Sequence, residues 1–392
     1  MSKLEKLIQQ YCPDGVEYVR LGDILSVNRG KRLTKTQLSD DGKYYVYHGS
    51  KDTPLGKYSQ FNVKGNTTIV VNTGGIGGVK YCNEDFWCSD GSFWIGHSAL
   101  LNDKYVYYYL SPKENYFASQ KRVGGVPTID RSTVENVEIP VPPLPVQEEI
   151  VRILDAFTEL QAELQAELQK RLQQYNYYRD NLLSVYSDSN TVRILELQQC
   201  VSPDCSMSYG VVQPGEDFIG GIPVVRPVDL SGRIIHNKGI KTVKPILLKA
   251  YSRTELKGVE LLVCVRGTTG VVAFAGEDLK GGNVTRGIVP LRFNPLVNSN
   301  YMYHLFNSRF VKKQIENKTQ GAALQQINVG DLKKISIPVP PLEEQNRIVA
   351  ILDRFDTLTN DLTSGLPAEM EKRRQQYEFY RDKLLTFKRK EA

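Results

Sequence analysis

Residues 137 to 160 of this chain return 198 positions later as residues 335 to 358, with 14 of 24 positions identical. A segment carried twice constrains the chain to two similar halves, because one residue pattern selects the same local structure each time it occurs. The first copy runs Ile139-Pro140-Val141-Pro142-Pro143-Leu144, then Gln147, Ile150-Val151, Ile153-Leu154-Asp155, Phe157 and Leu160, and each residue recurs between Ile337 and Leu358. A second block lies beyond it in each half: residues 170 to 183 match 372 to 385 at 10 of 14 positions, sharing Lys-Arg, Gln-Gln-Tyr, Tyr-Arg-Asp and Leu-Leu. Between the blocks the offset grows from 198 to 202. Four residues are about one helical turn, the length change a continuous helix tolerates best.

At 392 residues the chain exceeds what one hydrophobic core usually supports, so the duplication predicts at least two domains. Hydrophobic content of 41%, charged content of 24% and 31 glycines fit an ordinary globular protein. No apolar run is long enough to span a bilayer, and Met1-Ser2-Lys3-Leu4-Glu5-Lys6 lacks the apolar core of a signal peptide. The expected location is cytoplasmic, with no membrane partner. The six cysteines show no C-x-x-C pair and only four histidines are present, which predicts reduced, structural or surface thiols and no metal. A net charge of +6 from 50 Lys and Arg residues suits a polyanionic partner without requiring one.

From Gln147 to about Ser187 the pattern predicts one long helix. Leu160, Leu164, Leu168 and Leu172 recur every four residues, Gln-Ala-Glu-Leu occurs twice in tandem, and neither Gly nor Pro interrupts. Pro145 stands at the entrance, where a missing backbone donor costs nothing, and Glu148 and Glu149 favour the positive end of the helix dipole. The second copy, from Glu343 to about Phe387, spaces Leu358, Leu362, Leu366 and Met370 alike but contains Ser364-Gly365-Leu366-Pro367, which predicts a kink or break. Each strut has one apolar stripe, and the simplest partner for one is the other, as an antiparallel pair. Tyr175, Tyr177, Tyr178 and Arg179, matched by Tyr377, Phe379, Tyr380 and Arg381, are expected to pack between struts or against partner subunits rather than stack on bases.

The segments before the struts, residues 19 to 136 and 192 to 334, mix short β-rich runs (67 to 72, 261 to 266, 270 to 274, 287 to 292) with Gly-rich turns and helical patterns at 104 to 111 and 301 to 316. They are more faintly related. Val71-Asn72-Thr73-Gly74-Gly75 answers Val265-Arg266-Gly267-Thr268-Thr269, and Val126, Ile129, Val134 and Val137 answer Leu324, Ile327, Leu332 and Ile335. The expected fold is α+β: two mixed domains separated by two long paired helices, with an internal pseudo-twofold. The expected boundaries are 1–144 and 189–342 for the domains, and 145–188 and 343–392 for the struts.

Catalytic motifs are incomplete. Gly74-Gly75-Ile76-Gly77-Gly78-Val79-Lys80 fails the spacing of both phosphate-binding loops and reads as a turn between strands. Phe293-Asn294-Pro295-Leu296 lacks the second proline and the aromatic of the Asn-Pro-Pro-aromatic motif with which amino-methyltransferases grip a flipped base. Asp278-Leu279-Lys280 and Asp331-Leu332-Lys333 are fragments of a nuclease pattern without its upstream Pro-Asp. The Pro-Val-Pro-Pro runs are stiff linkers that set the angle between domain and strut.

Two diverged domains, each closed by I-P-V-P-P-L and followed by an I-V-x-I-L-D-x-F helix ending in Q-Q-Y-x-[YF]-Y-R-D-x-L-L, resemble the specificity subunit of Type I restriction and modification systems. The resemblance covers essentially the whole chain; the tandem Gln-Ala-Glu-Leu is similar to the tetrapeptide repeat in some members' central spacer, departing from Thr-Ala-Glu-Leu in its first residue. It implies a non-catalytic DNA-recognition subunit. Each domain would read one half of a bipartite, asymmetric site in double-stranded DNA, and the helices would set the unread spacer. Two methyltransferase subunits would dock on the frame, joined by restriction subunits that translocate DNA. S-adenosylmethionine, ATP and Mg would belong to those partners, with no cofactor in this chain.

The recognition loops of this family vary, so candidates rest on chemistry alone. They are Lys31, Arg32, Asn72, Thr73, Lys121 and Arg122 in the first reader, and Arg266, Thr268, Thr269, Arg286, Gln325 and Gln326 in the second. All fall in polar or Gly-rich turns, from which Arg, Asn and Gln can make bidentate contacts to base edges. The competing reading of each is a solvated or structural polar residue. Two other functions stay open from the residues alone: a stand-alone methyltransferase or nuclease, which the absent motifs oppose, and a protein scaffold, which salt-sensitive DNA binding would exclude.

Overall fold

The repeated Pro-Pro-Leu starts a helix that continues without interruption from Leu144 to Ser184, as its spacing predicts. In this computed structural model, residues 2–122, 125–184, 192–321, 325–360 and 364–391 are described. The second strut is broken where its sequence requires. Leu342–Asn360 and Leu366–Leu384 are separate helices, and the turn at Ser364 and Gly365 precedes Pro367, whose ring would clash inside a continuous helix.

The chain divides into two compact units, Met1–Glu163 with Met370–Ala392, and Leu164–Glu369. Each takes helix from both copies of the repeat. The unit boundary falls inside the central helix.

In the first unit a four-stranded sheet comprises β1 (Val27–Arg29), β2 (Thr67–Val71), β3 (Val79–Cys82) and β4 (Ser92–Ile95) in the order β1-β4-β2-β3, antiparallel throughout. All five residues of β2 are buried, so the strand reads as an unbroken β-branched run rather than an alternating one. Asn102 caps helix Asp103–Leu110 by accepting from the backbone of Lys104 and Tyr105. The core joins Val70, Tyr105, Phe117, Ile139, Ile150 and Leu154 with Leu385 from the far end of the chain. Phe157 of the central helix stacks on Tyr380 at 5.6 Å and meets Tyr377 at 6.3 Å.

The second unit repeats three strands of this sheet and carries its fourth on the opposite edge. Here β5 (Ile234–Ile235), β6 (Leu261–Cys264), β7 (Val272–Ala275) and β8 (Ile288–Leu291) lie in the order β5-β7-β6-β8, and β5 joins β7 in parallel. Its core contains Leu261, Tyr301, Leu305, Ile337, Ile348 and Leu352. Phe355 answers Phe157, stacking on Tyr178 at 5.4 Å and Tyr175 at 6.4 Å. These strut aromatics therefore pack between helices, as expected, except for Tyr177 and Phe379, which are 65% and 63% exposed.

A repeated glutamine joins domain to strut in each unit. Gln147 is fully buried; its Oε1 accepts from Asn102 N at 2.8 Å, and its Nε2 donates to the carbonyls of Leu100 (2.8 Å) and Pro142 (2.6 Å). Gln345 does the same for Asn298 N (2.8 Å), Leu296 O (3.0 Å) and Pro340 O (2.8 Å). Because these are internal backbone groups, the glutamine supplies bonds that water cannot.

Four expectations need correction. The helix expected over 301 to 316 is two, Ser299–Asn307 and Arg309–Lys318, since Ser308 is extended and caps the second by accepting from Val311 N. Val126 does not share in the apolar skeleton: it is 80% exposed, while Ile129, Val134 and Val137 are buried; its counterpart Leu324 lies outside the described residues. Leu358 sits at the rim rather than in the seam, 37% exposed, and Leu352 is the buried leucine of that helix; Leu362 lies outside the described residues. The faint alignment of 71–75 with 265–269 is one residue out of register: Val71 N bonds Gly78 O as Cys264 N, not Val265 N, bonds Val271 O.

Candidate nucleic-acid interface

In the first unit the loops around the end of β2 are tied together by backbone bonds. Asn72 N donates to Gly91 O at 3.0 Å, Ile129 N donates to Asn72 O at 3.0 Å, Gly75 N donates to Gly49 O at 2.7 Å, and Lys31 N donates to Cys88 O at 2.9 Å. Five separate segments thus meet at one sheet end. Gly74, at φ +79, makes this approach feasible, because a Cβ there would lie 2.7 Å from Gly49 O.

This junction gathers the sequence candidates but assigns them different parts. Lys31, Arg32, Lys121 and Arg122 are exposed, and Arg122 is paired with Asp130. Thr73 is half-buried and its hydroxyl donates to Pro127 O at 3.2 Å. Asn72 is 2% exposed; its Nδ2 donates to Asp90 O at 3.2 Å, and its Oδ1 has no partner among the described residues. Its side chain is turned into the protein, because backbone pairing continues one residue past the strand. Asn72 therefore holds the loops and does not present an edge to solvent, which corrects its reading as a base contact.

The second unit has the same junction with different chemistry. Val265 N donates to Gly287 O at 2.8 Å, Ile327 N to Val265 O at 3.0 Å, Gly267 N to Gln325 O at 2.8 Å, and Arg286 N to Val211 O at 2.8 Å. Arg266 is bridged to Gln326, itself bridged to Gln320. Thr268 Oγ1 lies 3.6 Å from Cys264 Sγ, and Thr269 Oγ1 lies 3.5 Å from Thr319 Oγ1. Arg286, Thr268 and Gln325 are exposed, while Arg266, Thr269 and Gln326 are half-buried.

Arg226, absent from the sequence candidates, completes the group. Together with Arg266 and Arg286 it lines a cavity of about 310 Å³ walled by Pro214, Pro227 and Gly287. Asp229 accepts from Arg226 Nε at 3.0 Å and Nη2 at 2.7 Å, and this carboxylate further favours the charged guanidinium. Among the described residues neither Arg266 nor Arg286 has an ion-pair partner. Their five-donor guanidinium groups suit planar acceptor pairs and phosphates.

No His, Cys, Asp or Glu cluster among the described residues is arranged to hold a metal ion, and no described helix is long and apolar enough to cross a membrane. All six cysteines are buried and unpaired, and burial pushes the Cys82 thiol up to about 12. They are packing residues, not surface thiols.

The family model described as "Type I restriction modification DNA specificity domain" matches residues 13–174 and 216–372. The chain is 35% identical to the type I restriction enzyme EcoR124I/EcoR124II specificity subunit of Escherichia coli, over 100% of this chain and 98% of that one. It is 31% identical to a Haemophilus influenzae chain bearing the name of a type I restriction enzyme specificity subunit, over 98% of each. Its fold is similar to that of the crystallised type I restriction–modification S subunit from M. genitalium, with a TM-score of 0.57 at 16% identity, over 94% of this chain and 95% of that one.

Proposed function

Because the chain belongs to the Type I restriction–modification DNA specificity family, we propose that its two mixed domains each read one half of a bipartite, asymmetric site in double-stranded DNA. The observation that carries this reading is the pair of matched loop junctions: one scaffold, built twice, ending in polar side chains that differ. Exposed Lys31, Arg32, Lys121 and Arg122 suit phosphate contacts that set position, while Arg266, Arg286, Gln325 and Gln326 suit base edges. Asn72 and Thr73 support the loops from below. The struts would hold the readers apart across an unread spacer.

Matched exposed aromatics, Tyr177 and Phe379, favour a partner present in two copies, since a patch made twice calls for two bound subunits. Two methyltransferase subunits fit, carrying S-adenosylmethionine and the methylation chemistry, with ATP- and Mg-dependent restriction subunits joining for cleavage. This chain then contributes recognition and no catalytic group.

Exchange of residues 19–136 for those of another family member, followed by mapping of methylated adenines in cells that also express the modification subunit, tests the reading. One half-site should change and the other persist. A change in both, or in neither, would overturn the assignment of one reader to one half-site.

A further inference from the structure

Strand pairing fixes which positions of the two readers correspond. Ile69 faces Lys80 and Trp94 as Leu262 faces Ala273 and Pro290. Beyond the strands, Asn72 N bonds Gly91 O as Val265 N bonds Gly287 O, and Ser89 N bonds Tyr47 O as Thr285 N bonds Val225 O. By these registers Arg226, Arg266 and Arg286 of the second reader occupy the places of His48, Thr73 and Asp90 in the first. The three first-reader residues also converge: His48 Nδ1 lies 3.3 Å from Asp90 Oδ1 and accepts from Gly91 N at 3.2 Å, and Thr73 follows Asn72, whose amide donates to Asp90 O.

One place in the fold thus carries a carboxylate beside an imidazole in one copy and a cationic recess in the other. We infer that this recess is a base-reading site, and that the second reader accepts a guanine there through Arg266 and Arg286. The inference rests on the DNA reading proposed above and specifies its chemistry.

Guanine presents O6 and N7 side by side in the major groove, and a guanidinium presents two parallel donors at matching spacing. Arg226 already gives two donors to Asp229, so it walls the recess, leaving Arg266 and Arg286 as readers. A phosphate contact would serve both readers alike, because the DNA backbone is the same at any sequence. Reversal of charge from Arg286 to Asp90 at one register position is opposed to that use and suits base choice, since a carboxylate accepts from cytosine N4 and repels guanine's acceptors.

The test uses the full chain co-expressed with its modification subunit, with methylated adenines mapped by sequencing. Arg286→Gln, at an exposed position that spares the fold, and Arg266→Gln should each relax discrimination at a guanine of one half-site by on the order of 5- to 150-fold, leaving the other half-site intact. Asp90→Asn should relax the opposite half-site. Arg286→Lys can still donate to guanine O6 or N7 but lacks the fixed fork, so it should lose less discrimination than Arg286→Gln does. If the Arg variants instead weaken methylation evenly at every site and flatten its salt dependence, the groups hold phosphate, and the inference fails while the wider reading stands. An unchanged site preference would also overturn it. If the unaltered chain directs no sequence-specific methylation at all, the DNA reading itself fails.

Discussion

The two readers share a three-stranded sheet core and differ where those strands end. Both bury a central strand completely, both tie the next residue to a glycine carbonyl across the loop, and both lock domain to strut through a buried glutamine. Past that point the first reader carries His48, Thr73 and Asp90 and the second Arg226, Arg266 and Arg286. The difference teaches that framework and contact surface were separable: backbone bonds position the loops, so side chains at their tips can change without disturbing the fold.

The severest challenge to this separation is a change in the frame alone. Deleting Gln161 to Leu164 removes one Gln-Ala-Glu-Leu unit from inside the continuous central helix, shortening it by roughly 6 Å and rotating its C-terminal part by about 40° beyond a full turn. B-DNA turns about 34 to 36° per base pair. Both half-site sequences should survive while the spacer shortens by one base pair, so that methylation at the original spacing is lost. Altered half-site bases in the methylation map would show that frame and readers are not independent.

A smaller effect probes the framework's symmetry. Gln147→Ala and Gln345→Ala each strand one buried donor and two carbonyls, and each should destabilise its unit by about 2–4 kcal/mol. Denaturant unfolding of the two variants would check this, and a large cost at one position only would mean that the matched bonds are not matched in energy.

The smallest effect concerns a place where the two copies diverge within the strut. Glu149 is 3% exposed and held by Arg152 and Lys3, each at 2.7 Å. Hydrogen bonding from Arg152, opposed by burial and reinforced by Lys3, lowers its pKa to about 2 from a usual value near 4.5. The folded carboxylate titrates below the unfolded one, so the stability it supplies is present above pH 4.5 and is lost as pH falls through 2. Glu149→Gln should cost about 1–3 kcal/mol at neutral pH and little in strong acid, as thermal melts across that range would show. The second copy has Arg347 here, paired with Glu344 at 2.6 Å on a more exposed turn, where a pair contributes about 0–1 kcal/mol. Equal pH dependence on mutating either residue would contradict the contrast.

The framework was legible in the sequence because it obeys local rules. Leucine spacing and the absence of glycine predicted the central helix, Pro367 predicted the break, and the repeated Phe and Tyr residues predicted packing between struts. The junctions were legible only in part. Asn72 sits beside a glycine-rich turn and so reads as a loop residue, yet tertiary pairing carries it inward. Arg226 gave no signal: the offset to its counterpart differs from that of Arg266 and of Arg286, because the loops between strands have different lengths, and no single alignment brings the three together. Only the hydrogen-bonded registers do.

The first unit closes over sequence from opposite ends of the numbering. Val16 N donates to Lys388 O and Lys390 N donates to Val16 O, both at 2.9 Å, and Tyr18 OH donates to Phe387 O at 3.0 Å. Gly15, at φ +100, lets this strand pair approach, as a Cβ would lie 2.5 Å from Lys388 O. Backbone bonds thus hold residues 15–18 beside residues 387–390 inside one unit. A permuted chain that joins these two stretches through a short linker and opens in an exposed loop elsewhere should therefore keep the first unit folded.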